Sequence, residues 1–254
     1  MIRSLFESRP VLTTLLAAVL AYIVLQTAWT GWNILRSRSL EPVAVGSRAI
    51  GSGGPVLSMF VTGDSAGAGL GATSWQTSFV GRVALSLATG RHVEVRNTSV
   101  SGAKMADLSA HSLPENPVDL VLLSAGSNDL FHLTGAEDLE RSAVEVLERY
   151  GEVARQVAVI GPGMIHGAPA DPLVLRLVHW LRRPAYVEAL RRAAAEAGAT
   201  YVDPCGDMDS LTDQQIEDTV SDVDNFHLSD AGHAWWAQRI LTELSRHGFA
   251  DVEG

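Results

Sequence analysis

Short strand-like runs that stop abruptly in turns of small and polar residues, with helical periodicity between them, restrict this chain more than any other feature. Val56 to Val61 ends at Gly63-Asp64-Ser65. His92 to Arg96 leads into a turn around Gly102. Val118 to Ser124 ends in Gly126-Ser127-Asn128-Asp129, and Val157 to Ile160 in Gly161-Pro162-Gly163. Thr200 to Val202 reads as a short fifth strand. Trp75 to Ala88, Ala136 to Tyr150, Tyr186 to Ala197 and Asp230 to Ser245 carry apolar residues at helical spacing. Strands alternating with helices imply right-handed crossovers and a parallel sheet. The pattern predicts an α/β fold: a three-layer αβα sandwich around a parallel, flavodoxin-like five-stranded sheet. Sites in such sheets form beyond the C-terminal ends of the strands, where the strand order reverses.

The turn Gly63-Asp64-Ser65 places a hydroxyl at a strand tip, and the residues after it, Ala66-Gly67-Ala68-Gly69, are too small to cover it. A serine becomes a nucleophile when a base takes its proton and donors hold the oxyanion that follows. Asp224-Asn225-Phe226-His227 supplies an acid three residues before a histidine. A carboxylate in that position can fix the tautomer of the base and stabilise its charge. Asp222, five residues before His227, is the poorer partner. Gly102 can bring a bare backbone N–H close to a substrate, and Asn128 offers a side-chain NH2. With the N–H of Ser65 they make three candidate oxyanion donors. The bland alternatives are turn chemistry for Ser65, Asn128 and Asp129, packing for His233, and a chance sequon at Asn97-Thr98-Ser99.

In order and content these blocks resemble the SGNH, or GDSL, hydrolase family, over roughly residues 56 to 245. The resemblance places the family's Ser, Gly, Asn and His at Ser65, Gly102, Asn128 and His227, with Asp224 completing a triad. Ala66 stands where the longer motif has Leu. The resemblance implies the same flavodoxin-like sandwich. It implies an ester-hydrolysing serine enzyme that needs no metal or organic cofactor. Lipid or lysophospholipid deacylation, removal of a short acyl group from an envelope polysaccharide, and a catalytically silent binding module are the readings to separate.

The 254 residues are 46% hydrophobic and 19% charged, enough for one domain with a well-buried core. A formal net charge of −10 argues against nucleic acid as a partner. Acidic residues crowd the stretch from Asp203 to Asp224 without the alternating spacing of a calcium loop. The single cysteine, Cys205, excludes an intrachain disulfide and has no histidine in a matching turn beside it.

From Val11 to Ala28 the chain carries no charge, and through Trp32 it is long enough to cross a bilayer, which takes roughly 20 residues. Trp29 and Trp32 suit an aromatic belt. Gln26-Thr27-Ala28-Trp29 is a poor cleavage site, so the run reads as an uncleaved anchor. Arg3 and Arg9 flank one end, Arg36 and Arg38 the other. The short positive N-terminus favours a cytoplasmic start and an extracytoplasmic domain. The expected organisation is an anchor over 1–35, a linker over 36–54 and a hydrolase domain over 55–254. Leu173 to Leu181 is unusually apolar: a helix packed on the sheet, or a lid or acyl-chain surface facing a membrane.

Overall fold

The computed structural model describes residues 9–249. Arg3, one flank of the expected anchor, lies outside them. A long helix α1 (Arg9–Ser37) comes first. Six strands follow: β1 (Gly46–Ile50), β2 (Val56–Gly63), β3 (His92–Asn97), β4 (Val118–Ser124), β5 (Ala154–Ile160) and β6 (Thr200–Val202). Between and after them run α2 (Phe79–Leu87), α3 (Ser127–Phe131), α4 (Ala136–Gly151), α5 (Leu173–Glu196), α6 (Asp213–Asp218) and α7 (Asp230–Arg246).

The strand order is β1-β3-β2-β4-β5-β6. The five strands from β2 to β6 are parallel and run in the flavodoxin order. The sheet is nevertheless mixed and six-stranded, which corrects the expectation of five parallel strands. β1 pairs antiparallel with β3, Gly46 opposite Asn97 and Ile50 opposite Val93. It falls inside the stretch 36–54 expected to be a linker. Its sequence, Gly-Ser-Arg-Ala-Ile, has almost no apolar alternation because four of its five residues are exposed. Backbone pairing at the sheet edge holds it, and that leaves no hydrophobic signature.

The parallel strands are buried on both faces, so successive residues feed two cores. Met59, Val61, Leu120 and Leu122 pack with α2 and α7. Phe60, Val121 and Leu123 pack with α4 and the second half of α5. The expected helix over 186–197 and the apolar stretch 173–181 are one helix, α5, continuous through Pro184. Proline leaves only the carbonyl four residues earlier without its helical partner. That carbonyl belongs to Trp180, an exposed residue.

The strand order reverses between β2 and β4, where Gly63 stands opposite Ser124. Residues 65 and 128 lie just past these two strand ends. At Gly63 φ is +141°, and a Cβ would sit 2.1 Å from the Ser124 carbonyl oxygen, so only glycine fits.

Candidate active site

The turn after β2 is braced by Asp64, which is 1% exposed. Its Oδ1 accepts from the Ser124 hydroxyl at 2.8 Å and from the Ala66 N–H at 3.1 Å. Burial pushes its pKa up to about 6, opposed by the Ser124 hydroxyl, the Ala66 and Gly67 amides and the His227 charge. Asp64 is therefore structural, and half-buried Ser65 beside it faces the cleft. Asn97 holds the far side of the same loop. Its side-chain N–H groups donate to the carbonyls of Ala44 at 2.9 Å and Gly67 at 2.8 Å. It is 2% exposed, so the Asn97-Thr98-Ser99 sequon is not open to modification.

The turn after β4 opens with Gly126 at φ +101° as the cap of α3. Asn128 and Asp129 then fasten this turn to the Gly102 loop. Asn128 Nδ2 donates to the Ala103 carbonyl at 3.0 Å, and Asp129 Oδ2 accepts from the Met105 N–H at 2.9 Å. Burial raises the Asp129 pKa. Gly102 has φ +87°, and a Cβ placed on it would meet nothing within 4 Å, so the space before it is open. One Asn128 hydrogen is committed to Ala103, and valence leaves the other for a ligand.

His227 Nδ1 meets Asp224 Oδ2 at 2.5 Å. The carboxylate can only accept, so Nδ1 carries the proton and Nε2 is left as the basic nitrogen. Asp224 Oδ1 accepts from the backbone N–H groups of Phe226 and His227, each at 3.1 Å. Burial alone would raise the Asp224 pKa. The His227 hydrogen bond and charge, with the two amides, outweigh it and hold the carboxyl below its usual range.

All five residues singled out in the sequence, Ser65, Gly102, Asn128, Asp224 and His227, line one cavity of about 210 Å3. A larger cavity of about 410 Å3 shares Ser65, Asn128, Phe226 and His227 with it. The two cavities meet at these four residues, which offers room for two parts of an ester. Cys205 lines only the larger one, and burial pushes its thiol up to about 11, unsuited to nucleophilic attack. His233 is buried: its Nδ1 accepts from the Phe79 N–H at 3.3 Å and its Nε2–H donates to the Leu70 carbonyl at 3.1 Å. It packs the loop of Ser65 against α2 and α7.

Sequence reasoning missed the part α1 plays. Thr30, Asn33, Ile34 and Ser37 form a wall of the smaller cavity. Asn33, 2% exposed, accepts through Oδ1 from Asn225 Nδ2 at 2.8 Å. Asn225 adopts φ +56° between Asp224 and His227. Trp29 Nε1–H donates to the Pro169 carbonyl at 3.1 Å, and Thr30 Oγ1–H to the Ala170 carbonyl at 3.1 Å. The available signal was the amide of Asn33 directly after the apolar run that ends at Trp32, a placement that usually has a partner.

A sequence profile of the GDSL-like lipase/acylhydrolase family matches residues 61–235, more than half of the chain. The chain belongs to this family. It is accordingly an ester-hydrolysing serine hydrolase of SGNH type. The fold is similar to the acetylxylan esterase Axe2 of Geobacillus stearothermophilus (TM-score 0.56, 21% identity), covering 77% of this chain and 95% of that one. It is also similar to a lipolytic protein of the G-D-S-L family from Veillonella parvula (TM-score 0.55, 18% identity), covering 75% and 99%. A search of curated proteins returns no match. α1 has one stretch, Leu12–Ser37, long and apolar enough to cross a membrane, and none of its most apolar window is buried.

Proposed function

We propose that this GDSL-family chain is a serine esterase working through an acyl-enzyme on a lipid or other acylated envelope substrate. Residues 1–35 anchor it in a membrane, with the domain over 55–254 on the extracytoplasmic side. The observation that carries this reading is the single cavity lined by Ser65, Gly102, Asn128, Asp224 and His227, with α1 as its wall.

In the proposed reaction His227 Nε2 takes the Ser65 proton as Oγ attacks the ester carbonyl. The N–H groups of Ser65 and Gly102 and the free Asn128 hydrogen hold the oxyanion. Asp224 keeps the proton on Nδ1 and stabilises the imidazolium. Collapse expels the alcohol, which takes the proton from His227. Water then gives its proton to His227 and attacks the acyl-enzyme, and release of the acid restores the Ser65 hydroxyl.

A second reading is removal of acetyl or another short acyl group from an envelope polysaccharide. The small volume of the cavity beside Gly102, about 210 Å3, supports it, as do the fold relatives described as acetylxylan esterases. Nitrophenyl esters of graded chain length separate the two readings. A profile peaking at long acyl chains supports the lipid substrate, and one confined to acetyl the polysaccharide. A fluorophosphonate should label Ser65 and fail on Ser65→Ala. Near-normal turnover by a folded Ser65→Ala enzyme would overturn the covalent mechanism.

A further inference from the structure

The first half of α5 presents Leu173, Val174, Leu177, Trp180 and Leu181 to the outside, each 57% to 68% exposed. Their spacing puts them on one stripe of the helix. The opposite side at this level is pinned inward by His179, wholly buried and 2.7 Å from Asp171. Further on, Tyr186, Leu190 and Ala193 turn the helix into the core. The exposed stripe is thus a local face on an otherwise packed element, and it is larger than scattered surface residues account for.

Its position says what covers it. Thr30 of α1 donates to the Ala170 carbonyl, and Leu173 follows only three residues later. Chain reach puts the start of the stripe within about 11 Å of that contact. Along α1, residues 12–25 are exposed throughout, whereas Gln26, Thr30, Asn33 and Ser37 are partly or fully covered, at helical spacing. α1 therefore leaves the domain near Thr30, next to the root of the α5 stripe. Arg176, Arg182 and Arg183 turn inward, onto the Gly167 carbonyl, the Thr134 carbonyl and Asp203, and leave the stripe itself apolar. An apolar stripe with no carboxylate from Leu173 to Arg183, next to a helix that suits a membrane, fits contact with a membrane interface. A protein partner on this face would have to share the space with the bilayer around α1.

We propose that the α5 stripe and the last turns of α1 rest together on the bilayer surface, so that the ester enters the cleft from the membrane rather than from water. Asp171 and Pro172, which lead into α5, and Thr30 and Ile34 of α1 line the cavity beside Ser65, so the cavity reaches both apolar elements. This deepens the lipid reading above and rests on it for the substrate, but membrane contact by α5 is testable without turnover.

The test uses the full-length protein in vesicles of phosphatidylcholine and phosphatidylglycerol. With Cys205→Ala as background, a nitrobenzoxadiazole label at Leu177→Cys should be quenched by lipids spin-labelled near the headgroup. The same label at Glu145→Cys, exposed on α4, should not be. The label is read equally well on Ser65→Ala, so a failed esterase reading does not blur this result. An unquenched label at 177, or equal quenching at 145, overturns the proposal. If the cysteine-free background fails to fold, the difference in lipid quenching of intrinsic fluorescence between wild type and Trp180→Phe takes its place. Loss of a quenchable component supports the proposal, and no difference overturns it. In a second arm, Leu177→Glu/Trp180→Glu should slow hydrolysis of a long-chain ester held in vesicles about tenfold. Hydrolysis of a water-soluble short-chain ester should be unchanged. Equal loss on both, or loss on neither, overturns loading from the membrane.

Discussion

Asn33, near the end of the N-terminal helix, is hydrogen-bonded at 2.8 Å to Asn225, the residue that follows Asp224, the proposed triad acid. The helix that suits a membrane is thereby fastened to the loop that positions Asp224 and His227. Removing Asn33 leaves a half-buried amide on Asn225 without its acceptor, at a cost of about 1 kcal/mol. Asn33→Ala should lower kcat roughly tenfold, with a smaller effect on KM. A shortened chain beginning near Leu40, which keeps β1 and Ala44, should lose more, because Thr30, Ile34 and Ser37 leave the cavity wall as well. Kinetics on a soluble ester measure both. Full activity in the truncated domain would show the contact to be incidental.

Asn128 holds the Ala103 carbonyl with one hydrogen, which leaves the other for the proposed oxyanion contact. Loss of an oxyanion donor acts on the transition state and so on kcat rather than KM. Asn128→Ala should slow kcat roughly 10²–10³-fold. The variant's thermal midpoint should fall too, since the tie to Ala103 goes with it. A folded variant that lost affinity and kept its kcat would mark Asn128 as a substrate-binding residue.

Asp224→Asn keeps the shape of the carboxylate but can turn an NH2 toward His227 Nδ1, favouring the tautomer with the proton on Nε2. Nε2 would then have no lone pair for the Ser65 proton. By the usual cost of a wrong tautomer in such triads, kcat should fall about 10⁴-fold. Labelling of Ser65 by a fluorophosphonate should slow in step. A loss of less than tenfold would mean that another group, Asp222 first among them, serves His227.

His233 offers a prediction on stability. Burial lowers its pKa from 6.5 to about 4 in the folded chain. The unfolded chain therefore binds a proton more readily between those values, and stability falls as pH drops from about 6.5 to 4. The full swing is on the order of 3 kcal/mol. Asp64 acts in the opposite sense: its folded pKa of about 6 means that stability falls as pH rises from 3.8 toward 6. The two largely offset each other across that window. His233→Gln should remove one of them. Thermal midpoints should show its deficit against wild type to be largest near pH 7 and smallest near pH 4. A deficit independent of pH would show that folding does not lower the His233 pKa.

Gly63 has no room for a side chain, with the Ser124 carbonyl 2.1 Å from any Cβ and φ at +141°. Gly63→Ala should destabilise by roughly 4 kcal/mol or more, as strained positions beside packed backbone do. Urea unfolding of the purified domain checks it. A near-normal midpoint would mean that the strand ends can separate.

The candidate site was legible because its residues sit in turns, where residue type is dictated by what the backbone and a hydrolytic reaction need. Ser65, Gly102, Asn128, Asp224 and His227 could be named from such turns, and the structure brings all five to one cavity. What escaped notice was held by forces that leave no periodic trace. β1 is an edge strand made by backbone bonds, with exposed side chains. α5 runs through a proline that ordinarily ends a helix. The pairs Asn33–Asn225 and Asp129–Met105 span 192 and 24 residues, and a side chain's distant partner is not written in its neighbours.

β1 begins at Gly46, soon after α1 ends at Ser37, and it is zipped to β3 over all five of its residues. Little slack chain remains between the membrane-suited helix and the body of the enzyme. With the proposed anchor in a bilayer, an enzyme on so short a leash would search a patch of surface rather than a volume. Its turnover should follow the mole fraction of substrate in the surrounding bilayer, and diluting that bilayer with inert lipid should slow it while the amounts of enzyme and substrate stay the same.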